Sequence, residues 1–100
     1  MNFAIEFISG EYITTLDGRL DTVSSPQVEQ EMVPLMENAD CTIHMECKSL
    51  AYISSSGLRL FIMLQKEVNR RGGKLIVHNL AEDIREIFDQ TGFSSIFTIV

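Results

Sequence analysis

Tryptophan is absent from this sequence, and cysteine, proline and tyrosine occur only twice each. Cys41 and Cys47 bracket what reads as a strand, which holds them about 20 Å apart at about 3.3 Å per residue, too far for a disulfide. No second Cys or His pair stands at ligand spacing, so a structural zinc site is not expected and both thiols read as free and buried. Basic residues are also scarce. Eight Lys plus Arg against fourteen Asp plus Glu leave a net charge of -6, which argues against nucleic acid and against anionic membranes as partners and leaves proteins or small molecules. Long apolar runs are missing as well: none approaches the roughly 18 residues of a membrane span, and Glu6 interrupts the start where a secretory signal needs an unbroken apolar core. The chain therefore reads as cytoplasmic, with no membrane insertion.

Two catalytic signatures are missing too. There is no G-x-S-x-G nucleophile elbow and no G-x-x-x-x-G-K-[ST] phosphate loop. No catalytic residue or cofactor is assigned, and the expectation is a protein that is not an enzyme. An esterase using Ser55 or Ser56 is the minor alternative.

What remains is a hundred residues, 45% hydrophobic and 22% charged, enough for one domain over 1–100 with one sheet and a few helices but little room for a deep cleft. Phe3, Ile5 and Phe7 alternate with polar or small neighbours, Ser9-Gly10 interrupts, and a β-rich stretch resumes from Tyr12 to Leu16, the pattern of a hairpin. Ser25-Pro26 reads as the cap and first residue of a helix over 25–38, with Pro34 expected to kink it or shorten its last turn. Cys41, Ile43, Met45 and Cys47 alternate with Thr42, His44 and Glu46, a half-buried strand. A long helix over 56–71 ends at Gly72-Gly73. Leu75 to Val77 form the next strand, Asn79 and Glu82 read as a capping box for a helix over 80–91, and Ile96 to Val100 make a last strand. The order β-β-α-β-α-β-α-β implies an α/β fold with a mixed sheet packed by helices, and a core containing Ile43, Met45, Leu64, Leu75, Val77, Ile84 and Phe88. The polar face of the 41–47 strand means that one sheet face is only partly covered. His44 and His78 fall on that face and read as solvated surface residues; a metal would need a third ligand, and none is assigned.

In an open α/β sheet the functional edge lies beyond the carboxyl ends of the parallel strands. Three loops are expected to meet there, Asp17 to Ser25, Lys48 to Gly57 and Asn79 to Ala81. The middle one holds Ser54-Ser55-Ser56-Gly57 at the start of the longest helix. Capping needs one serine, and a glycine in the first turn costs about 1 kcal/mol against alanine, which points to the close approach of a partner. Free N–H groups at a helix start stabilise an anion, so the loop has the physics of a phosphorylation switch.

With these elements in order, the chain resembles the STAS domain, the fold of bacterial anti-sigma factor antagonists, nearly end to end. Leu16-Asp17-Gly18-Arg19-Leu20-Asp21 is similar to the family's L-x-G-x-L-D, and Ser54-Ser55-Ser56-Gly57-Leu58 to its D-S-[ST]-G-L. Gly72-Gly73-Lys74-Leu75 and Ile87-Phe88-Asp89-Gln90-Thr91-Gly92-Phe93 follow at family spacing. The resemblance implies that Ser55 is the phosphoacceptor and that Asp21 is the acid beside it. It also implies that the partner is an anti-sigma factor serine kinase, which binds the unphosphorylated form. Ser54, Ser56, Gly57, Arg59 and Leu60 complete the expected contact surface. Two departures stand out: the motif's Asp is Ser54 here, and the chain stops at Val100 without the last helix of many relatives. The alternative function is a non-phosphorylated STAS scaffold subunit of a transporter or signalling complex.

Overall fold

Ser9 and Gly10 both adopt positive φ, 52° and 82°, which makes the two-residue turn whose twist matches the strands it joins. In the computed structural model, which describes residues 1–100, this turn joins β1 (Asn2–Ile8) to β2 (Glu11–Leu20) in unbroken antiparallel register from Ile8↔Glu11 to Asn2↔Asp17. Two short helices follow, α1 (Ser25–Glu31) and α2 (Val33–Glu37), then β3 (Thr42–Ile53), α3 (Ser55–Arg71), β4 (Lys74–His78), α4 (Glu82–Gln90), a 3₁₀ turn over Phe93–Ser95 and β5 (Thr98–Ile99). The strands lie in the order β1-β2-β3-β4-β5, parallel from β2 onward. Each crossover thus steps in the same direction, and right-handed connections put every helix on one face of the sheet.

The other face stays open, which explains the alternation along β3. Ile43, Met45 and Cys47 are buried under the helices, whereas Thr42, His44 and Glu46 point the other way and are half-buried. All seven residues expected in the core are buried there. Beneath α3 and α4, Phe61, Phe88 and Phe97 meet edge to face, with ring centres 5.3 to 6.3 Å apart, the preferred aromatic geometry.

Four local expectations are corrected. The first helix breaks at Met32 into α1 and α2, with Pro34 in the first turn of α2, where its missing N–H costs nothing; Arg71 then donates to the carbonyls of Met36 and Glu37 at 2.9 and 3.0 Å and ties the short helix to α3. Ser24, not Ser25, is the cap of α1. The capping box on α4 does not form, because Asn79 takes a left-handed φ of 57° and gives its amide to the Glu46 carboxylate at 3.0 and 3.1 Å, so the helix starts after Ala81. The last strand shrinks to two residues because Phe93 to Ser95 coil into the 3₁₀ turn that leads Phe97 into the core.

Only one of the two free thiols is buried. Cys41 precedes β3 and is half-exposed, while Cys47 lies under the helices. Burial, reinforced by the neighbouring Glu46 charge, pushes the Cys47 thiol up from 9.0 to about 12, since a thiolate there would lose its hydration. In the native protein at pH 8, a thiol reagent is expected to label Cys41 quickly and Cys47 only on unfolding. The raised value also sets a sign: the neutral thiol's contribution to stability is intact below pH 9 and is lost as pH rises towards 12. Equal labelling of both thiols without denaturant would contradict the packing of β3 under α3.

Candidate functional site: the turn that opens the long helix

β2 and β3 continue as partners well past β4, down to Leu20↔Ile53, through two register shifts around Asp17 and Gly18. The strands end together, and the chain then turns twice in the same place. Ser54 N–H donates to the Leu20 carbonyl at 2.8 Å, so the start of α3 is fastened to the end of β2. Ser54 itself is extended, with φ -89° and ψ 172°, and its Oγ accepts the Gly57 N–H at 3.1 Å, while its carbonyl receives the Leu58 N–H at 2.8 Å. The cap of α3 is therefore Ser54, and Ser55 is the first helical residue.

Gly57 has a packing reason. A Cβ placed on it would lie 2.6 Å from Leu20 Cγ and 2.8 Å from the Leu20 carbonyl oxygen, distances no real side chain occupies. The close approach expected of a partner is made instead by the protein's own β2. Gly57 is buried, and Leu60 is fully buried in the core; neither offers a surface, and both drop out of the expected contacts. Ser55 is exposed, Ser54 and Ser56 are half-buried, and Arg59 is exposed, reaching α1 through Glu29 at 3.0 Å.

Asp21 follows Leu20 directly and organises the neighbouring loop. Its Oδ1 accepts the N–H groups of Ser24 and Val23 at 2.9 and 3.1 Å, and its own N–H donates to Ser24 Oγ at 3.0 Å. Ser25 Oγ donates to the Asp21 carbonyl. The backbone N–H of Ser24, against a smaller opposing cost of desolvation, holds the Asp21 carboxyl below its ordinary 3.8, because the charged form is the better acceptor. That contribution to stability is present above pH 3.8 and fades as the pH falls through the depressed value. The ionised Asp21 thus fixes a tight four-residue loop, Asp21 to Ser24, shorter than the Asp17 to Ser25 stretch expected, because β2 runs on to Leu20.

The third loop is elsewhere. β4 ends opposite Glu46, so Asn79 to Ala81 sits beside the middle of β3, roughly 20 Å along the strand from Ser54 at about 3.3 Å per residue. Two loops form the site, not three. The expected Asp17 to Ser25 loop includes, but does not single out, Val23, 86% exposed at the tip of the Asp21 loop, and Arg19, whose guanidinium lies 4.3 Å from the centre of the exposed Tyr52 ring. An apolar residue inside Asp21-Thr22-Val23-Ser24 was the available signal for the first. The second needed the shifted register Arg19↔Tyr52.

His44 and His78 do meet on the open face, but as a bonded pair rather than as solvated side chains. His44 Nδ1 and His78 Nε2 share a hydrogen bond of 2.8 Å, and the other His44 nitrogen meets the Glu11 carboxylate. The pair lies by the Asn79 loop, away from the serine turn.

The serine turn therefore combines an exposed hydroxyl at the start of a 17-residue helix, an ionised carboxylate on the adjoining loop and an apolar tip, with no enclosing cleft. Such an arrangement suits recognition by another protein and modification of the hydroxyl. The STAS domain model matches residues 2–100. The chain belongs to the STAS domain family. Among relatives, the anti-sigma-B factor antagonist of Bacillus subtilis (strain 168) is 37% identical over 83 residues, covering 82% of this chain and 74% of the relative. The anti-sigma-B factor antagonist of Staphylococcus epidermidis is 29% identical over 101 residues, covering 99% and 94%. The solved structure of the anti-sigma factor antagonist SpoIIAA in its unphosphorylated form superposes with a TM-score of 0.77 at 23% identity, covering 99% of this chain and 87% of the other. For the phosphorylated form of the Bacillus SpoIIAA the TM-score is 0.76 at 21% identity, covering 99% and 91%. No helix of the chain is long and apolar enough to cross a membrane.

The fit of Gly57 against Leu20 is testable. Gly57→Ala should cost about 1–3 kcal/mol, the range for forcing extra volume into a packed site, read as a lowered urea midpoint. A neutral substitution would contradict the contact between α3 and the end of β2.

Proposed function

We propose that this STAS protein is an anti-sigma factor antagonist whose binding to its partner is controlled by phosphorylation of Ser55. The partner is an anti-sigma factor that is itself a serine kinase; it holds the unphosphorylated protein and in doing so releases its sigma factor. The observation that carries the reading is the position of Ser55. It is the exposed member of the serine triplet and the first residue of α3, and the resemblance to the family's motif puts the acceptor at this position. The names of the Bacillus and Staphylococcus relatives support the antagonist class.

The chemistry asked of this chain is small. The Ser55 Oγ takes the γ-phosphoryl group of the kinase's ATP, forming an O–P ester as the bond to ADP breaks and the hydroxyl proton is released. The ester adds about -1.5 to -2 charges at pH 7. Within the turn, that charge sits at the positive end of the α3 dipole and is tolerated. At the docking surface the effect reverses, because the dianion must be desolvated and lies near the ionised Asp21. The fold keeps its shape while the partner loses its seat. Ser54 fits this scheme in one respect: like the Asp it replaces, it caps α3 by accepting the Gly57 N–H, since Ser and Asp are comparable caps. It lacks only the charge. The contact surface comprises the Asp21 to Ser24 loop with Val23, the Ser54 to Ser56 turn and Arg59.

Incubation with the cognate kinase and ATP, followed by mass spectrometry, is expected to place phosphate on Ser55. Ser55→Ala should abolish labelling and keep binding. Ser55→Asp should weaken binding, less than phosphate does, and Ser54→Asp should leave the fold intact. Phosphate found only on another residue, or no labelling by a kinase that demonstrably binds the protein, would overturn the switch and favour the scaffold subunit.

A further inference from the structure

The two edges of the sheet are unequally protected. β5 exposes only Thr98–Ile99, whereas β1 exposes seven residues, Asn2–Ile8. Natural edge strands are guarded by lysine, proline, bulges or brevity. β1 has none of these: its sequence is NFAIEFI, its register with β2 is unbroken, and its single charge is Glu6.

The hairpin decides which backbone groups of β1 are free. A two-residue turn with both central φ values positive closes on a hydrogen-bonded pair, here Ile8 and Glu11. Bonded and non-bonded pairs alternate along an antiparallel ladder, so Glu6, Ala4 and Asn2 spend their N–H and C=O groups on β2. Phe3, Ile5 and Phe7 direct theirs outward. The free donors and acceptors are thus centred on Ile5.

We infer that β1 pairs with β1 of a second copy of this chain, antiparallel about a two-fold axis through Ile5, extending the sheet across a homodimer. The free groups allow this register, which pairs the most residues: Ile5 faces Ile5 of the second copy, and Phe3 faces Phe7. Each of these pairs exchanges two backbone bonds. Their side chains all lie on the helix-covered face, as the pairing of Phe3 with the buried Leu16 and of Ile5 with the buried Thr14 shows. Phe7, 60% exposed, would be covered by Phe3, an aromatic cross-strand pair of the kind that stabilises sheets. Charge is compatible with this register and excludes the one in which Ile5 faces Phe7, where Glu6 would meet Glu6. Glu6 falls opposite Ala4, so the one acid of the strand never meets its own copy, and the pairing is self-complementary as two-fold symmetry requires. The cost is the long-range repulsion of two chains each carrying -6, which salt screens.

Sedimentation equilibrium of the full chain tests this. The average mass is expected to climb from one chain towards two between about 10 µM and about 1 mM, the range of weak association, and more steeply in high salt. Ile5→Pro removes an outward N–H together with a half-buried side chain, whereas Phe7→Lys supplies the missing guard at an exposed position; both should stay at one chain, and Phe7→Lys should keep the wild-type circular dichroism spectrum. Amide exchange at Phe3, Ile5 and Phe7 should slow with concentration, while Ala4 and Glu6 are protected throughout. A wild type that stays at one chain up to about 1 mM overturns the inference, even if another protein proves to cover the edge. So does a dimer that persists in both variants, or one that weakens as salt is added.

Discussion

The contact of Gly57 with Leu20 is the constraint on which the functional end of this protein depends. A strand and a helix approach so closely that no side chain fits between them, and one hydrogen bond, from Ser54 N–H to the Leu20 carbonyl, locks the approach. Three things follow in turn. Ser54 is held extended and caps α3. Ser55 is left at the first position of the helix, with its hydroxyl outward. Asp21, next to Leu20, starts its own loop beside the same turn, so a carboxylate and a serine come to share a surface although 34 residues separate them.

The surface that results is shallow, exposed and cut into rigid elements. Its backbone is anchored by β2 and β3, which pair down to their last residues. A rigid surface suits a switch that works by adding charge. Under the proposed switch the domain does not need to rearrange, because a phosphate on Ser55 would act on the partner's ability to dock and not on packing inside the fold.

Much of this was legible in the sequence, and the limits are physical. Periodicity located the sheet order and the two long helices, since the buried stripes of α3 and α4 and the alternation of β3 are strong signals, but it merged α1 with α2 and did not find the 3₁₀ turn. Ser55 stood out in the sequence because its motif is local. Gly57 was legible as a special position but not as to cause: whether a glycine makes room for a partner or for the chain's own β2 is a long-range fact. Leu60 failed for the same reason, as an apolar helix residue beside a docking surface looks the same in sequence whether it faces in or out. Asn79 was misread because two roles compete for its side chain, and the Glu46 carboxylate across the sheet won over the helix cap. The three-loop site failed because strand length was underestimated: β3 runs twelve residues, past an interior of alternating and then irregular polarity that reads as loop.

The central claim is that charge placed on Ser55 acts locally, through a helix start fixed by Leu20. Amide spectra of the isotopically labelled protein, recorded before and after stoichiometric phosphorylation, test it most directly. Large shifts should be confined to residues 54–58 and the adjoining Asp21 to Ser24 loop, with Met45, Leu64, Val77 and Phe88 unmoved. Shifts spread through those core residues, or a spectrum that loses its dispersion, would show a switch that works by refolding and would contradict the account.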